Sequence, residues 1–394
     1  MTKVSFNYTF TPTIVRALMT IEAARQAVTM TTLPLPLAER LRQQARVRST
    51  HYSTRIEGNR LTLDEAQQVV FRGRRIPGRE RDAREVRNYY RALQQIETWA
   101  EQQTLITEDL ICRLHALIFK GPRARPTPYR DGQNVIRDAA TGEIIYMPPE
   151  ADDVPLLMHD LLDWMYEDRP EELPVPVLVG LVHYQFVTVH PFYDGNGRTA
   201  RALATLFLYQ HGYDLGRFYS LEEVYARDLQ AYYAALQTHP HHNYYEGRAE
   251  ADVTGWLLYF LQSMAEEFRR VADEVRTYAE TPMIPEPPEL QRLDRRARIA
   301  LGLFTEHETL TTAEMARALG LAPRTVRDLI AGWLEQGWLE IEDPSRRSRC
   351  YRLSAVYRRF IGGVEFPPSV PPAGREAGRS PAPGGICQDR RCQD

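Results

Sequence analysis

The chain has 394 residues, 43% of them hydrophobic, enough to build more than one core, so two or three domains are expected. Forty-nine basic and 52 acidic residues leave a net charge of -3, which excludes a global electrostatic pull toward nucleic acid or membrane and confines any such partner to a local patch. No run approaches the roughly 18 apolar residues of a bilayer span, the opening "MTKVSFNYTFTPT" lacks a secretory pattern, and four cysteines without metal-ligand spacing suit a reducing cytoplasm.

Along the chain, "TPTIVRALMTIEAARQAV" reads as a helix with Thr11 as cap and Pro12 at its first position. After the break at "TLPLP", a second helix is expected from about Leu37 to the helix-ending pair Gly58-Asn59. Helical spacing continues through "LDEAQQVVF", "AREVRNYYRALQQIETWA", "TEDLICRLHALIF", "DDVPLLMHDLLDWMYE", "VPVLVGLVHYQFVTV" and "RTARALATLFLYQ". The exception lies between Tyr129 and Pro149, where β-prone ends flank "DAATGE" and Gly142 supplies a turn, predicting a hairpin arm on a helical body. After "DVTGWLLYFLQSMAEEFRRVADEVRTYAE", the proline-rich "TPMIPEPPE" marks a boundary. The fold class expected is mainly α. Its parts are an N-terminal helical region (1–100), a catalytic core (101–280) with the arm at 129–149, a linker (281–294), a compact unit (295–356) and a disordered tail (366–394). No internal repeat is present.

One segment, "HPFYDGNGRTAR" from 190 to 201, puts polar and flexible residues between two apolar helices. Pro191 ends the first helix, because proline disfavours helical geometry in the residue before it. Gly195-Asn196-Gly197 can bend tightly and aim backbone N–H groups into one concavity, to which the next helix adds its positive end. Arg198 and Arg201, three apart, share a face and suit bidentate phosphate binding. Asp194 beside phosphates calls for a cation, and one carboxylate plus substrate phosphates is how Mg²⁺ is usually held. His190 supplies a base that titrates near neutrality. The composite is a Mg–nucleotide cradle with a base at its edge, suited to phosphoryl or nucleotidyl transfer onto a hydroxyl; a solvated glycine turn is the bland alternative.

The segment resembles the Fic family motif, H-x-F-x-[D/E]-G-N-G-R-x-x-R, at His190, Phe192, Asp194, Gly195, Asn196, Gly197, Arg198 and Arg201. The resemblance runs to about residue 280. It implies transfer of AMP from ATP to a Ser, Thr or Tyr hydroxyl of a target protein or of the chain itself, with His190 as base. Asp194 would hold Mg²⁺, while Gly195, Asn196 and Gly197 form an anion hole. Arg198 and Arg201 would bind outer phosphates, and Phe192 would anchor the loop. The intact Gly-Asn-Gly-Arg is similar to adenylyl-transferring members, unlike the kinase-like Doc branch. The hairpin corresponds to the family's flap, which docks a target by strand addition. "AYYAALQ" and "HHNYYEGR" resemble stretches walling the adenine pocket, through Tyr233, Leu236, Asn243 and Tyr244.

"STRIEGN", residues 53–59, resembles the Fic inhibitory motif at Ser53, Glu57 and Gly58. It implies that Glu57 reaches Arg201 and takes the space of the γ-phosphate, braced by Ser53, within one chain. A carboxylate at a helix C-terminus is otherwise disfavoured, unless offset by Arg55 or Arg60. The same Glu57 could instead orient water to remove AMP from a modified target. Residues 295–354 resemble a winged helix-turn-helix in which Thr312 caps the second helix, Gly320 turns and Pro323 opens the third. Arg324, Thr325 and Arg327 would face a major groove, and Arg346, Arg347 and Arg349 would meet phosphates from a wing. Protein docking is the alternative, as is a DNA-binding regulator that senses ATP without turnover. A homodimer is left open.

Overall fold

A computed structural model describes residues 4–138, 141–280, 288–304, 307–319, 321–343, 345, 349–361 and 386–388. They fall into two compact units, one drawn from Met1–Thr32, Leu41–Ala279 and Pro381–Asp394, the other from Leu33–Arg40 and Glu280–Ser380.

The first unit is built of helices whose starts are written locally. In α1 (Pro12–Met30) the Thr11 hydroxyl accepts from the Ile14 amide. Helix α2 (Leu35–Ile56) ends where Gly58 takes φ +87°, its amide and that of Asn59 returning to the Arg55 and Thr54 carbonyls. Thr62 and Glu65 form a capping box on α3 (Leu63–Phe71), and Thr107 caps α5 (Glu108–Phe119), which follows α4 (Glu80–Glu101). Helix α6 (Val154–Asp163) continues into a π-helical turn at Trp164–Asp168. Helix α7 (Val175–Val189) is buried almost all round, as its uniformly apolar sequence demands, and forms a hairpin with α8 (Asn196–Gln210). Short helices α9 (Leu221–Arg227) and α10 (Leu229–Leu236), capped by Ser220 and Asp228, lead to the long α11 (Thr254–Glu280). Helix α11 lies so close to α7 that a Cβ on Gly180 would meet Leu257 and Phe260 at 3.0 Å, and Trp256 donates to the Gly180 carbonyl. Phe186, Phe192, Trp256, Phe260 and Phe268 fill the core around this crossing.

The expected hairpin is present. Strand β1 (Ile136–Asp138) runs antiparallel to β2 (Ile144–Tyr146), pairing Ile136 with Tyr146 and Arg137 with Ile144. Its exposed Ile144 makes an arm, while buried Tyr146 donates to the Thr188 carbonyl and anchors it to α7.

The second unit contains a short helix α12 (Pro288–Gln291) inside the span expected to be linker, then α13 (Arg295–Leu303), β3 (Leu310–Thr311), α14 (Thr312–Leu319) and α15 (Pro323–Glu335). Strands β4 (Leu339–Asp343) and β5 (Cys350–Leu353) join β3 in an antiparallel sheet of order β3-β5-β4, and α16 (Ala355–Ile361) follows. Ala297, Met315, Val326, Ile330, Trp333 and Trp338 make its core. The cap of α14 is Thr311 rather than Thr312: its hydroxyl accepts from the Glu314 amide, and the Glu314 carboxylate accepts from the Thr311 amide. Thr311 also pairs with Cys350 of β5, and the helix begins one residue earlier than a Thr312 cap would place it. Gly320 and residues 281–287 of the linker lie outside the described residues.

No structure was expected in 366–394, yet Ile386–Gln388 form β6, antiparallel to β1 on the edge opposite β2. The rest of that stretch lies outside the described residues. No helix among the described residues is long and apolar enough to cross a membrane.

Candidate active site

The turn between α7 and α8 is fixed by buried polar side chains. Phe192 is buried and stacks on His115 of α5 at 3.9 Å between ring centroids. Asn196 closes the turn on itself, its Oδ1 accepting from the Phe192 amide at 2.9 Å and its Nδ2 donating to the Phe192 carbonyl at 2.6 Å. His115 Nε2 lies 2.7 Å from the Asp194 carbonyl, and since a carbonyl only accepts, the proton is on Nε2. Burial, the largest influence, holds His115 neutral with a pKa of about 4. Gly195 takes φ +84°, and a Cβ there would stand 3.1 Å from His115 Nε2. Helix α8 therefore opens on Asn196, its first amides, as at any helix start, without partners inside the helix at the hollow of the turn.

That hollow holds a carboxylate. Glu57 Oε1 is 2.8 Å from Arg201 Nη2 and only 2.5 Å from where a Cβ on Gly197 would be. Arg201 also donates through Nε to the Ser53 hydroxyl and through Nη2 to the Ser53 carbonyl, both at 3.0 Å. Burial opposes the Arg201 charge, but Glu57 and the neighbouring tyrosines outweigh it and raise its pKa above the ordinary arginine value. The partner of Glu57 among the described residues is thus Arg201, 144 positions away, and neither Arg55 nor Arg60. Behind this pair, Tyr89 donates to buried Glu222, which burial pushes toward its protonated form.

Arg198 is equally buried, 3.4 Å from Asp194 and 3.8 Å from Glu85 of α4, and among the described residues its Nε has no hydrogen-bond partner. An orphaned buried donor beside a helix N-terminus is what an anion would satisfy. Asp194 is the sole carboxylate of the motif. Among the described residues no cluster of three His, Cys, Asp or Glu side chains forms a metal cage. This donor set fits a hard cation shared with substrate phosphates and does not fit a resident structural metal.

His190 sits at the C-cap of α7 in the left-handed region, φ 52°, unusual for a residue with a Cβ. Its Nδ1 is 3.3 Å from the Val187 carbonyl, which places the proton on Nδ1 and the lone pair on Nε2. Burial first, then the nearby Arg130 charge, lowers its pKa to about 4, so the imidazole is neutral at pH 7. Arg130 was not singled out from sequence. It donates to the His190 carbonyl, and its position is set by the foot of the hairpin. Asn134, also unremarked in sequence, donates to the Phe192 and Tyr193 carbonyls. Neither they nor His115, Glu85 and Glu222 carry a spacing signal, since packing alone brings them to the motif.

Of the expected adenine-side residues, Tyr233 donates to the Ile56 carbonyl next to Glu57, and burial raises its pKa. Asn243 bridges Met147 at the end of the hairpin, while the Leu236 carbonyl accepts from Arg248. Tyr244 is buried beside Gln185 of α7, with its ring in the core. In the second unit Arg324, Thr325 and Arg327 are exposed on the first turns of α15, and Arg349 is exposed. Arg346 and Arg347 lie outside the described residues.

A helical body carrying a hairpin over a glycine turn, with His190 at one end and two buried arginines at the other, is a Fic-type fold. Residues 105–208 match the Fic/DOC family. It is 31% identical to a protein adenylyltransferase Fic of Nematostella vectensis over 184 residues, 45% of this chain and 41% of that protein. It is 27% identical to one of Drosophila willistoni over 199 residues, 50% of this chain and 39% of that protein. The chain thus spans about two fifths of the length of these relatives. A crystal structure of a Fic family protein from Desulfovibrio desulfuricans, 28% identical, superposes with a TM-score of 0.55, covering 89% of this chain and 98% of that one.

Proposed function

We propose that the chain is a protein adenylyltransferase, moving AMP from ATP to a Ser, Thr or Tyr hydroxyl of a target protein or of itself, and that Glu57 restrains it. The observation that carries this reading is the Glu57 carboxylate lodged between Arg201 and Gly197, in the space an outer phosphate needs. With Glu57 displaced, Arg201, Arg198 and the amides of Gly195–Gly197 hold the polyphosphate. His190 Nε2 takes the proton of the incoming hydroxyl, whose oxygen bonds to the α-phosphorus as the bond to the β-phosphate oxygen breaks and pyrophosphate leaves. Mg²⁺, held by Asp194, would neutralise phosphate charge. Tyr233, Leu236, Asn243 and Tyr244 are the candidates for the adenine side. The hairpin would receive the target as an added strand.

Incubation with labelled ATP tests the reading. Glu57→Gly should label itself and lysate proteins strongly, and adding His190→Ala should abolish the label. Release of AMP from a labelled target by the wild type, lost in Glu57→Gly, would assign the opposite direction to the same site. Free Cys112 and Cys350 suit a cytoplasmic setting. The second unit is read as a winged helix, and its exposed Arg324 and Arg327 favour duplex binding. An affinity for random duplex that does not fall with salt would redirect that reading to protein docking.

A further inference from the structure

Arg130 is a buried cation whose side-chain hydrogen bonds among the described residues all end on neutral oxygens. Nε donates to the His190 carbonyl at 3.0 Å, and Nη2 donates to the Pro149 carbonyl. Nη1 donates to the Gly132 carbonyl at 3.1 Å and reaches the Gln133 amide oxygen at 3.4 Å. Its own amide donates to the Pro191 carbonyl at 2.9 Å. Gly132 and Pro149 are the two feet of the hairpin, and His190 and Pro191 are the end of α7. One planar fork therefore closes the hairpin at its base and fastens it to the residue bearing the base.

We propose that Arg130 is a positioning residue that couples the target-docking hairpin to His190, setting where a docked hydroxyl lies relative to the imidazole. It rests on the reading of His190 as base and the hairpin as dock. Three features carry it. The left-handed backbone of His190 needs its carbonyl held from outside the helix, and Arg130 holds it. Charge-assisted bonds to buried carbonyls are strong and directional, so both feet share one reference point. Arg130 also keeps positive charge beside the imidazole, tempered by the Glu150 carboxylate, while Glu57 and Asp194 act on the imidazole the other way.

Two substitutions separate the fork from the charge. Arg130→Lys keeps the charge but lacks the planar fork; Arg130→Gln loses both. In both, hydrogen exchange at Ile136, Arg137 and Ile144 should quicken by about tenfold or more, and the KM for a protein target should rise by about tenfold while MgATP affinity stays within about twofold. The His190 titration followed by NMR should stay in place in the Lys variant and move to higher pH in the Gln variant, carrying the acid limb of kcat with it. Wild-type exchange and target KM in Arg130→Lys would overturn the proposal, as would a fall in MgATP affinity matching the loss in target KM. If Glu57→Gly labels no protein at all, the proposed activity fails, whereas hairpin exchange and the His190 titration still decide whether Arg130 couples the two.

Discussion

Replacing Glu57 by glycine should raise activity and lower stability together. The Glu57–Arg201 pair is 2.8 Å apart, with side-chain exposures of 18% and 2%. At an effective dielectric near 20, charges this close attract by on the order of 4–6 kcal/mol. Water at the more open carboxylate returns roughly half of that, leaving about 2–3 kcal/mol that an incoming phosphate must overcome. The apparent KM for ATP in a labelled-transfer assay should therefore fall by about 30- to 150-fold in Glu57→Gly. Glu57→Gln removes the charge but keeps an oxygen near Gly197, so it should give a smaller gain. Without nucleotide, Glu57→Gly removes the carboxylate that pairs with the buried Arg201 charge and should melt earlier, by a few kcal/mol of stability. MgATP should restore the loss by binding the folded state. Equal KM and equal labelling in wild type and Glu57→Gly, both abolished by His190→Ala, would refute the gate.

Three further outcomes are expected. Gly197→Ala should prevent labelling even on the Glu57→Gly background, because its methyl would enter the phosphate nest beside Arg201; labelling equal to the Glu57→Gly parent would show that the nest is not used. Asp194→Asn should lose transfer and its response to Mg²⁺ concentration, and should melt somewhat earlier because it weakens the pair with buried Arg198; transfer unchanged across a magnesium titration would remove Asp194 from metal binding. Acid should destabilise the chain early. His115 and His190 have folded pKa values near 4 and His183 near 3, all below the usual value of 6.5, so stability present at neutral pH is lost as pH falls from 6.5 toward 4, when the unfolded chain takes up protons that the folded chain refuses. Each contributes on the order of 2–3 kcal/mol by pH 4. A melting temperature flat from pH 7 to pH 4 would contradict this, and replacing His183 by Gln should shrink the slope.

Helix starts were readable where the signal is contiguous. Thr11-Pro12 before α1 and Gly58 after α2 act within one turn of chain, so local chemistry placed them correctly. The cap of α14 was displaced because pairing of Thr311 with Cys350 is a long-range event that no local reading contains. The same division runs through the site. Residues 190–201 were legible as a unit because His190, the glycine turn and the arginines lie on one continuous stretch, and local backbone geometry keeps them together.

What the sequence determined by itself was the set of groups along that stretch and the apolar helices holding it. Tertiary packing alone decided that Glu57 lands between Arg201 and Gly197, that His115 and Asn134 fasten the turn, and that Arg130 joins the hairpin to His190. Contacts between residues distant in the chain depend on how buried faces of whole helices stack, an energy summed over many side chains. A local sequence pattern records which groups exist, and only the packed core sets the distances between them.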